Sequence, residues 1–475
     1  MFVTGPIWTA IEITMYVVDA ALLVTLVTTK RLRFRDFVLW LMLMVVMPLC
    51  GFIAYICVGP PIYKGGLKAP PHTGDGLDEI ERLRQEHPER EEQLTFARAL
   101  SKAGAYNYSE DNEVKYYSEG PDYFKDLLDD MGRAQSSISI ECYIIRRDDL
   151  SNTFMDILID RAIHGVQVRI MFDAYGFGNR QMKAVHELRR AGGECVMFHS
   201  IIRLLFSPRK NNRDHRKLAV IDGQVGYVGG YNVGDEYINK SKEWGHWRDG
   251  AVRFRGTQVR ELQTMFAEDW KFSTKKDISR QPELFPPPKT CGKVSMQLVG
   301  GGPVNIGSNP LHIQYLTLIN DSEQRVYIET PYLMPPSTLF YNLCIRAMSG
   351  TDVRIAIPDK PDHPFVYWAN RYYANLLMEH GVRVYIYHNG FLHSKLLVGD
   401  AYYCSVGSGN LDERSMNLNF ECNAMLYSYE LGRQLEDAFL NDLQYCTEYS
   451  CEEYAKRTVL QKLKTDFSMI FYNQL

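Results

Sequence analysis

Two segments of the chain share the pattern His-x-Lys-x4-Asp: His215-Arg-Lys217-Leu-Ala-Val-Ile-Asp222 and His393-Ser-Lys395-Leu-Leu-Val-Gly-Asp400. In each, apolar residues follow the lysine and lead to a turn, so each is predicted to be a strand. Residues two apart on a strand face the same side. His215 and Lys217 then project together, as do His393 and Lys395. A neutral imidazole beside a fixed ammonium suits attack on a phosphodiester: one group attacks phosphorus and the other neutralises the non-bridging oxygens. Asp222 and Asp400 complete the motif and stand with the catalytic candidates. Their odd spacing from the lysines places them on the other face of a regular strand, and Asp222-Gly223 is a hairpin signal. Both points suit a structural or orienting part better than a chemical one.

Asn232 and Asn410 end glycine-rich stretches, Gly229-Gly-Tyr-Asn232 and Gly407-Ser-Gly-Asn410. Glycine lets backbone approach a ligand and the amide can donate to a phosphate oxygen, so both are candidate phosphate ligands. Each histidine needs an acid on its other ring nitrogen. Asp249, in Trp247-Arg-Asp249, and Glu421, in Asn419-Phe-Glu421, are the candidates. The run Arg203–Lys217 carries six Lys or Arg against one acid, Asp214, and leads into the first motif. It suits either a solvated face or a funnel for anionic headgroups. Neither motif offers metal-ligand spacing, and the lysines supply the positive charge a metal would bring, so no metal is expected.

The elements that would position these residues repeat. Ile138-Ser-Ile-Glu141 is echoed by Val326-Tyr-Ile-Glu329, and Gly165-Val-Gln-Val-Arg-Ile170 by Gly350-Thr-Asp-Val-Arg-Ile355. The two histidine motifs and the two Asn-terminated turns share one offset, 178 residues. The strand runs Ile138–Ile145 and Val166–Phe172, with helical 153–164 between them, follow βαβ logic. The fold class expected is α/β, with two duplicated α-β-α sandwich domains facing each other across a pseudo-two-fold axis. Boundaries are placed at 104–280 and 293–475, with a proline-rich linker at 281–292. Residues 61–103 are read as a linker and a solvated surface helix.

The 475 residues suit two or three domains, and 45% hydrophobic with 23% charged residues suits a globular chain. The net charge of -4 argues against a nucleic-acid partner. The ten cysteines lack metal or redox spacing and read as free and mostly buried. Residues 1–60 read as a two-segment membrane anchor. Phe37–Val58 is 22 residues without a charge, enough for a helix to span a bilayer. Ile7–Thr29 is also apolar but carries Glu12 and Asp19, seven apart and so on one helix face. The intervening Lys30, Arg31, Arg33 and Arg35 would place that loop in the cytoplasm and the main domain outside, whereas free cysteines suit a reducing side.

On these motifs the chain resembles the phospholipase D superfamily, and within it the bacterial cardiolipin synthases. The resemblance rests on Asn212–Gly223, Gly229–Tyr237, Gly409-Asn-Leu-Asp-Glu-Arg-Ser415 and Leu418-Asn-Phe-Glu421, with two apolar segments ahead of them. It implies a membrane enzyme without cofactor that joins two phosphatidylglycerol molecules into cardiolipin and glycerol through a phosphohistidine. It implies His215 as nucleophile and His393 as acid and base, with Lys217, Lys395, Asn232 and Asn410 holding phosphate. The motifs equally suit a membrane phospholipase D acting on another headgroup. From another class, an inactive lipid-binding scaffold is the alternative.

Overall fold

The computed structural model describes residues 6–28, 34–58, 75–173, 176, 182–198, 212–303, 309–360 and 362–470. The basic loop at 30–33, the linker at 59–74 and most of the basic run, 199–211, lie outside the described residues. The chain forms two compact units. One comprises Met1–Leu67 with Ser200–Asn212, the other Lys68–His199 with Arg213–Leu475.

The first unit holds helices Pro6–Thr28, Phe34–Val46 and Pro48–Val58. Pro48 has no amide hydrogen to donate, and the helix breaks before it. The chain then doubles back, setting Tyr55 edge-on to Trp40 with ring centroids 5.6 Å apart. The expected continuous span Phe37–Val58 is therefore two short helices. No helix among the described residues is long and apolar enough to cross a membrane. The unit nevertheless turns Val17, Val24, Leu39 and Val46 outward, while Asp19 is buried with both carboxylate oxygens unpaired among the described residues.

The second unit is built on a 16-stranded mixed sheet. Its strands from the first half of the chain are β1 (Ser109–Glu119), β2 (Ser137–Cys142), β3 (Gln167–Asp173), β4 (Glu194–Phe198), β5 (Leu218–Ile221), β6 (Val225–Gly229) and β7 (Trp247–Arg255). The next eleven strands are β8 (Val294–Gly301), β9 (Arg325–Glu329), β10 (Leu333–Met334), β11 (Asp352–Pro358), β12 (Arg383–Tyr387), β13 (Phe391–Leu392), β14 (Leu396–Gly399), β15 (Tyr403–Gly407), β16 (Leu411–Asp412), β17 (Glu421–Tyr427) and β18 (Cys446–Glu448). From one edge the order is β4-β3-β2-β5-β6-β7-β1, and it continues β8-β17-β15-β14-β9-β11-β12-β18. The parallel pairs β2/β3 and β3/β4 match β9/β11 and β11/β12. The antiparallel pairs β2/β5, β5/β6 and β6/β7 match β9/β14, β14/β15 and β15/β17. β1 and β8 pair antiparallel and join the two series. β13 pairs with β7 off this path, and β10 pairs with β16 in a separate ribbon.

Parallel strands need crossovers, supplied by helices such as Asp149–Ile163. That helix starts where the Asp148 carboxylate accepts a hydrogen bond from the Ser151 amide. Each series has its own apolar core, one around Phe154, Ile140 and Tyr227 and one around Leu318, Ile355 and Met425. The segment expected to be a solvated surface helix differs. It forms two helices, Asp75–Glu86 and Glu91–Ala103, and the second buries Leu94, Phe96, Ala97 and Leu100 in the core of the second series.

Candidate active site

Each histidine lies just before a strand of its own half, but its backbone binds the other half. The His215 amide donates to Phe420 O at 2.9 Å and the His393 amide to Arg248 O at 2.7 Å. Phe420 and Arg248 immediately precede Glu421 and Asp249. This register sets the side chains: His215 Nδ1 lies 3.0 Å from a Glu421 carboxylate oxygen, and His393 Nδ1 lies 2.6 Å from Asp249 Oδ2. Each imidazole is thus oriented by an acid from the other half of the chain. With Nδ1 donating to the acid, Nε2 carries the free lone pair.

The lysines are buried beside their histidines. Lys217 Nζ donates to His215 O at 2.7 Å, and Lys395 Nζ donates to His393 O and lies 2.9 Å from His393 Nδ1. Since Nδ1 carries the proton given to Asp249, that last approach is a close contact rather than a hydrogen bond. Burial lowers the Lys217 ammonium to about 7 and that of Lys395 to about 8. Burial, then Lys217 and Lys395, push His215 well below its ordinary value. Burial, then Lys395, bring His393 to about 4, with Lys217 adding to the effect. Each histidine thus senses both lysines, so the two motifs converge on one site.

The acids differ. Burial works to raise Asp249, but Lys395 and His393 hold it below the usual carboxylate range. Burial raises Glu421 to about 7. Glu421 also accepts hydrogen bonds from Ser408 Oγ at 2.5 Å, Ser415 Oγ at 2.9 Å and Asn419 Nδ2 at 3.1 Å. Gly230 makes room for Asp249, since a Cβ there would lie 2.0 Å from Asp249 Oδ1.

The motif aspartates are not brought to this cluster. Asp222 lies at the far end of β5 from His215, roughly 20 Å along an extended chain. Its carboxylate accepts from the amides of Gln135, Ser136 and Ser137, leading into the start of β2. Asp400 does the same at the start of β9, for the amides of Glu323, Gln324 and Arg325. Both adopt positive φ, 53° and 50°. Motif membership alone groups them with the chemical candidates, but in the structure their carboxylates cap backbone amides away from the histidines.

Asn232 and Asn410 are both buried. Asn232 Oδ1 accepts from the Ile144 amide at 3.1 Å and its Nδ2 donates to Tyr237 Oη at 3.1 Å, leaving one N–H. Asn410 Oδ1 accepts no hydrogen bond from the described residues. Of the basic run, Arg213 lies 3.8 Å from Asp173 and Arg216 pairs with Asp269. Those two cations are committed within the protein. No cluster of three or more His, Cys, Asp or Glu side chains among the described residues could hold a metal ion.

Several contributors escaped the sequence reading. Tyr143 packs edge-on against His215 at 5.0 Å, and Trp247 lies tilted against His393 at 5.2 Å. Arg216 Nε donates to Glu421 O at 3.1 Å and Arg248 Nη1 to Asp249 O at 2.6 Å. Each arginine thereby anchors the backbone of an orienting acid. Arg216 sits inside the motif and Arg248 beside Asp249, but pattern alone gives no partner for either.

A family described as "Cardiolipin synthase, PLD-like domain" matches residues 127–270 and 315–443, one stretch around each histidine. The chain belongs to the bacterial cardiolipin synthase family of the phospholipase D superfamily. It is 38% identical over 443 residues to cardiolipin synthase 2 of Staphylococcus epidermidis, covering 91% of each chain. It is 36% identical over 473 residues to a cardiolipin synthase of Staphylococcus aureus, covering 97% of this chain and 96% of that one. Its fold resembles that of phosphatidylserine synthase from Haemophilus influenzae, with a TM-score of 0.61 at 14% identity, covering 76% of this chain and 95% of that one.

Proposed function

We propose that this member of the cardiolipin synthase family transfers a phosphatidyl group between two phosphatidylglycerol molecules, giving cardiolipin and glycerol. The carrying observation is the crossed pair of acid-oriented histidines, each flanked by a buried lysine. In the first step His215 Nε2 attacks phosphorus, the bond from phosphorus to the glycerol oxygen breaks, and His393 gives that oxygen a proton. In the second step His393 takes the proton of a hydroxyl on a second phosphatidylglycerol. That oxygen attacks phosphorus and the bond to His215 breaks. Lys217 and Lys395, with Asn232 and Asn410, hold the non-bridging oxygens.

The acids support this division of labour. A low-lying Asp249 at 2.6 Å favours the imidazolium that His393 must already be when it donates its proton, and it opposes the pull of burial and Lys395 toward the neutral ring. Glu421, raised by burial and shared among three other donors, favours it less, which suits a nucleophile. The mirrored strand order supports reading residues 104–280 and 293–475 as duplicated domains about a pseudo-two-fold axis. The outward apolar side chains of the first unit support docking of residues 1–60 in a membrane.

Incubation of purified protein with phosphatidylglycerol tests the reading, with cardiolipin and glycerol expected. Phosphatidic acid without cardiolipin would instead identify a hydrolase, and no product a binding scaffold. Labelled phosphate trapped on His393 in a His215→Ala protein would reverse the two histidines.

A further inference from the structure

The C-terminal helix, Val459–Ile470, turns Thr465, Ser468 and Met469 inward. It lies on the helix Pro364–Met378, and its buried side chains are Thr465 and Ser468, each 1% exposed. Thr465 Oγ1 donates to Gln461 O at 2.9 Å and accepts from Arg457 at the same distance, while Ser468 Oγ donates to Lys464 O at 2.8 Å. The opposite face carries Val459, Leu460, Leu463 and Phe467, each more than half exposed. At about 100° per residue these four fall within roughly one third of the helix circumference. Phe365, on the neighbouring helix, extends the patch, its ring 6.0 Å from that of Phe467.

Lys462 and Lys464 flank this stripe on either side. Among the described residues neither has a carboxylate within ion-pair reach, and Lys464 lies over the Trp368 ring at 5.6 Å. Apolar side chains facing out between lysines, with a tryptophan at the margin, suit the boundary between headgroups and acyl chains. The patch is linked to the site through the helix that carries Phe365. Three residues before Phe365, Asp362 accepts a hydrogen bond from Tyr332 and acts electrostatically on Lys395. A self-association would bring the lysines of two copies around one apolar seam, with Asp466 of each helix exposed at the edge of the stripe beside Lys462. An anionic lipid surface complements both lysines at once.

We propose that this outward face, Leu460, Leu463 and Phe467 with Phe365, docks the catalytic unit on an anionic phospholipid surface and presents its cleft to lipid headgroups. The inference rests on the lipid substrate proposed above. It adds a membrane contact distinct from the N-terminal helices.

The test uses the full-length protein and its Leu463→Glu/Phe467→Glu variant, whose changes fall on exposed positions. Hydrogen–deuterium exchange across 459–470 is expected to slow on adding phosphatidylglycerol vesicles to the wild type, and not in the variant. Turnover of vesicle phosphatidylglycerol is expected to fall about tenfold or more in the variant, from lost apolar burial at the surface. Turnover of a short-chain phosphatidylglycerol below its micelle threshold stays unchanged. Unaltered exchange on vesicles overturns the docking, as does an equal fall on both substrates. A shift from dimer to monomer in the variant, by light scattering, assigns the face to a second copy and overturns it too. Slowed exchange without turnover of either substrate by the wild type would leave docking standing and remove the synthase reading.

Discussion

His393 Nδ1 and Asp249 Oδ2 are 2.6 Å apart although 144 residues separate them in the chain. The relationship has a mate in His215 and Glu421, 206 residues apart. For neither motif histidine does its own half of the chain supply the acid. Asp249→Asn tests the consequence. The amide removes the charge that stabilises the imidazolium and permits the wrong tautomer, so kcat is expected to fall by about three to four orders of magnitude with KM little changed. Steady-state turnover of phosphatidylglycerol measures it. A fall below about tenfold would remove Asp249 from the chemistry.

The buried lysines predict opposed effects on activity and stability. Lys217 has its folded pKa lowered to about 7, below its unfolded value, so the folded state binds fewer protons than the unfolded state above that point. The cost of burying the charge is full below pH 7 and is relieved as pH rises toward the unfolded value. Lys217→Met should therefore raise the melting temperature most at pH 6, while turnover falls about a hundredfold or more through loss of phosphate neutralisation. Melting curves at pH 6 and pH 9 decide it. The same titration predicts that kcat/KM of the wild type declines as pH rises through 7 to 8, as the free enzyme loses its ammoniums.

Asp222 separates architecture from chemistry. Its carboxylate holds three consecutive backbone amides leading into the start of β2. Asp222→Ala leaves those amides without their acceptor and should cost about 1–3 kcal/mol of stability. Folded enzyme measured well below its melting temperature should keep turnover within about threefold of wild type, since the side chain lies roughly 20 Å of extended chain from His215. A thousandfold loss in folded protein would return Asp222 to the reaction.

Much of this site could be read from residue spacing. A strand alternates faces every residue, so His215-x-Lys217 and His393-x-Lys395 had to project together, and Asp222 and Asp400 had to fall elsewhere. The crossing of the acids was not legible. Glu421 and Asp249 could be named as candidates, but partner choice depends on the backbone bonds of His215 to Phe420 and of His393 to Arg248, which are long-range register. The same limit hid Tyr143 and Trp247. The glycine-rich turn was read as room for ligand; at Gly230 the room is taken by the Asp249 carboxylate. At the N-terminus, counting apolar residues over Phe37–Val58 gave a span, but Pro48 ends the hydrogen-bond ladder midway and the chain folds back.

Arg248 gives the strongest expectation for the frame of the site. The side chain is 1% exposed, donates to Asp249 O at 2.6 Å and to Asp442 Oδ2 at 2.5 Å, and lies 3.2 Å from Glu329. Burial works against its charge, but Glu329 and Asp442 outweigh that and raise its pKa well above the ordinary value. Arg248→Met removes the cation and leaves Asp442 without its buried partner, beside a Glu329 carboxyl that burial already pushes up. The expected loss is about 3–5 kcal/mol, read from denaturant unfolding. Pairing Arg248→Met with Glu329→Gln should recover part of that loss, because one buried charge leaves with its partner. Such recovery would not restore turnover in full, since the Asp249 carbonyl loses its guanidinium donor and keeps only the Tyr231 hydroxyl. A single variant as stable as wild type would mean that the arginine is dispensable to the frame.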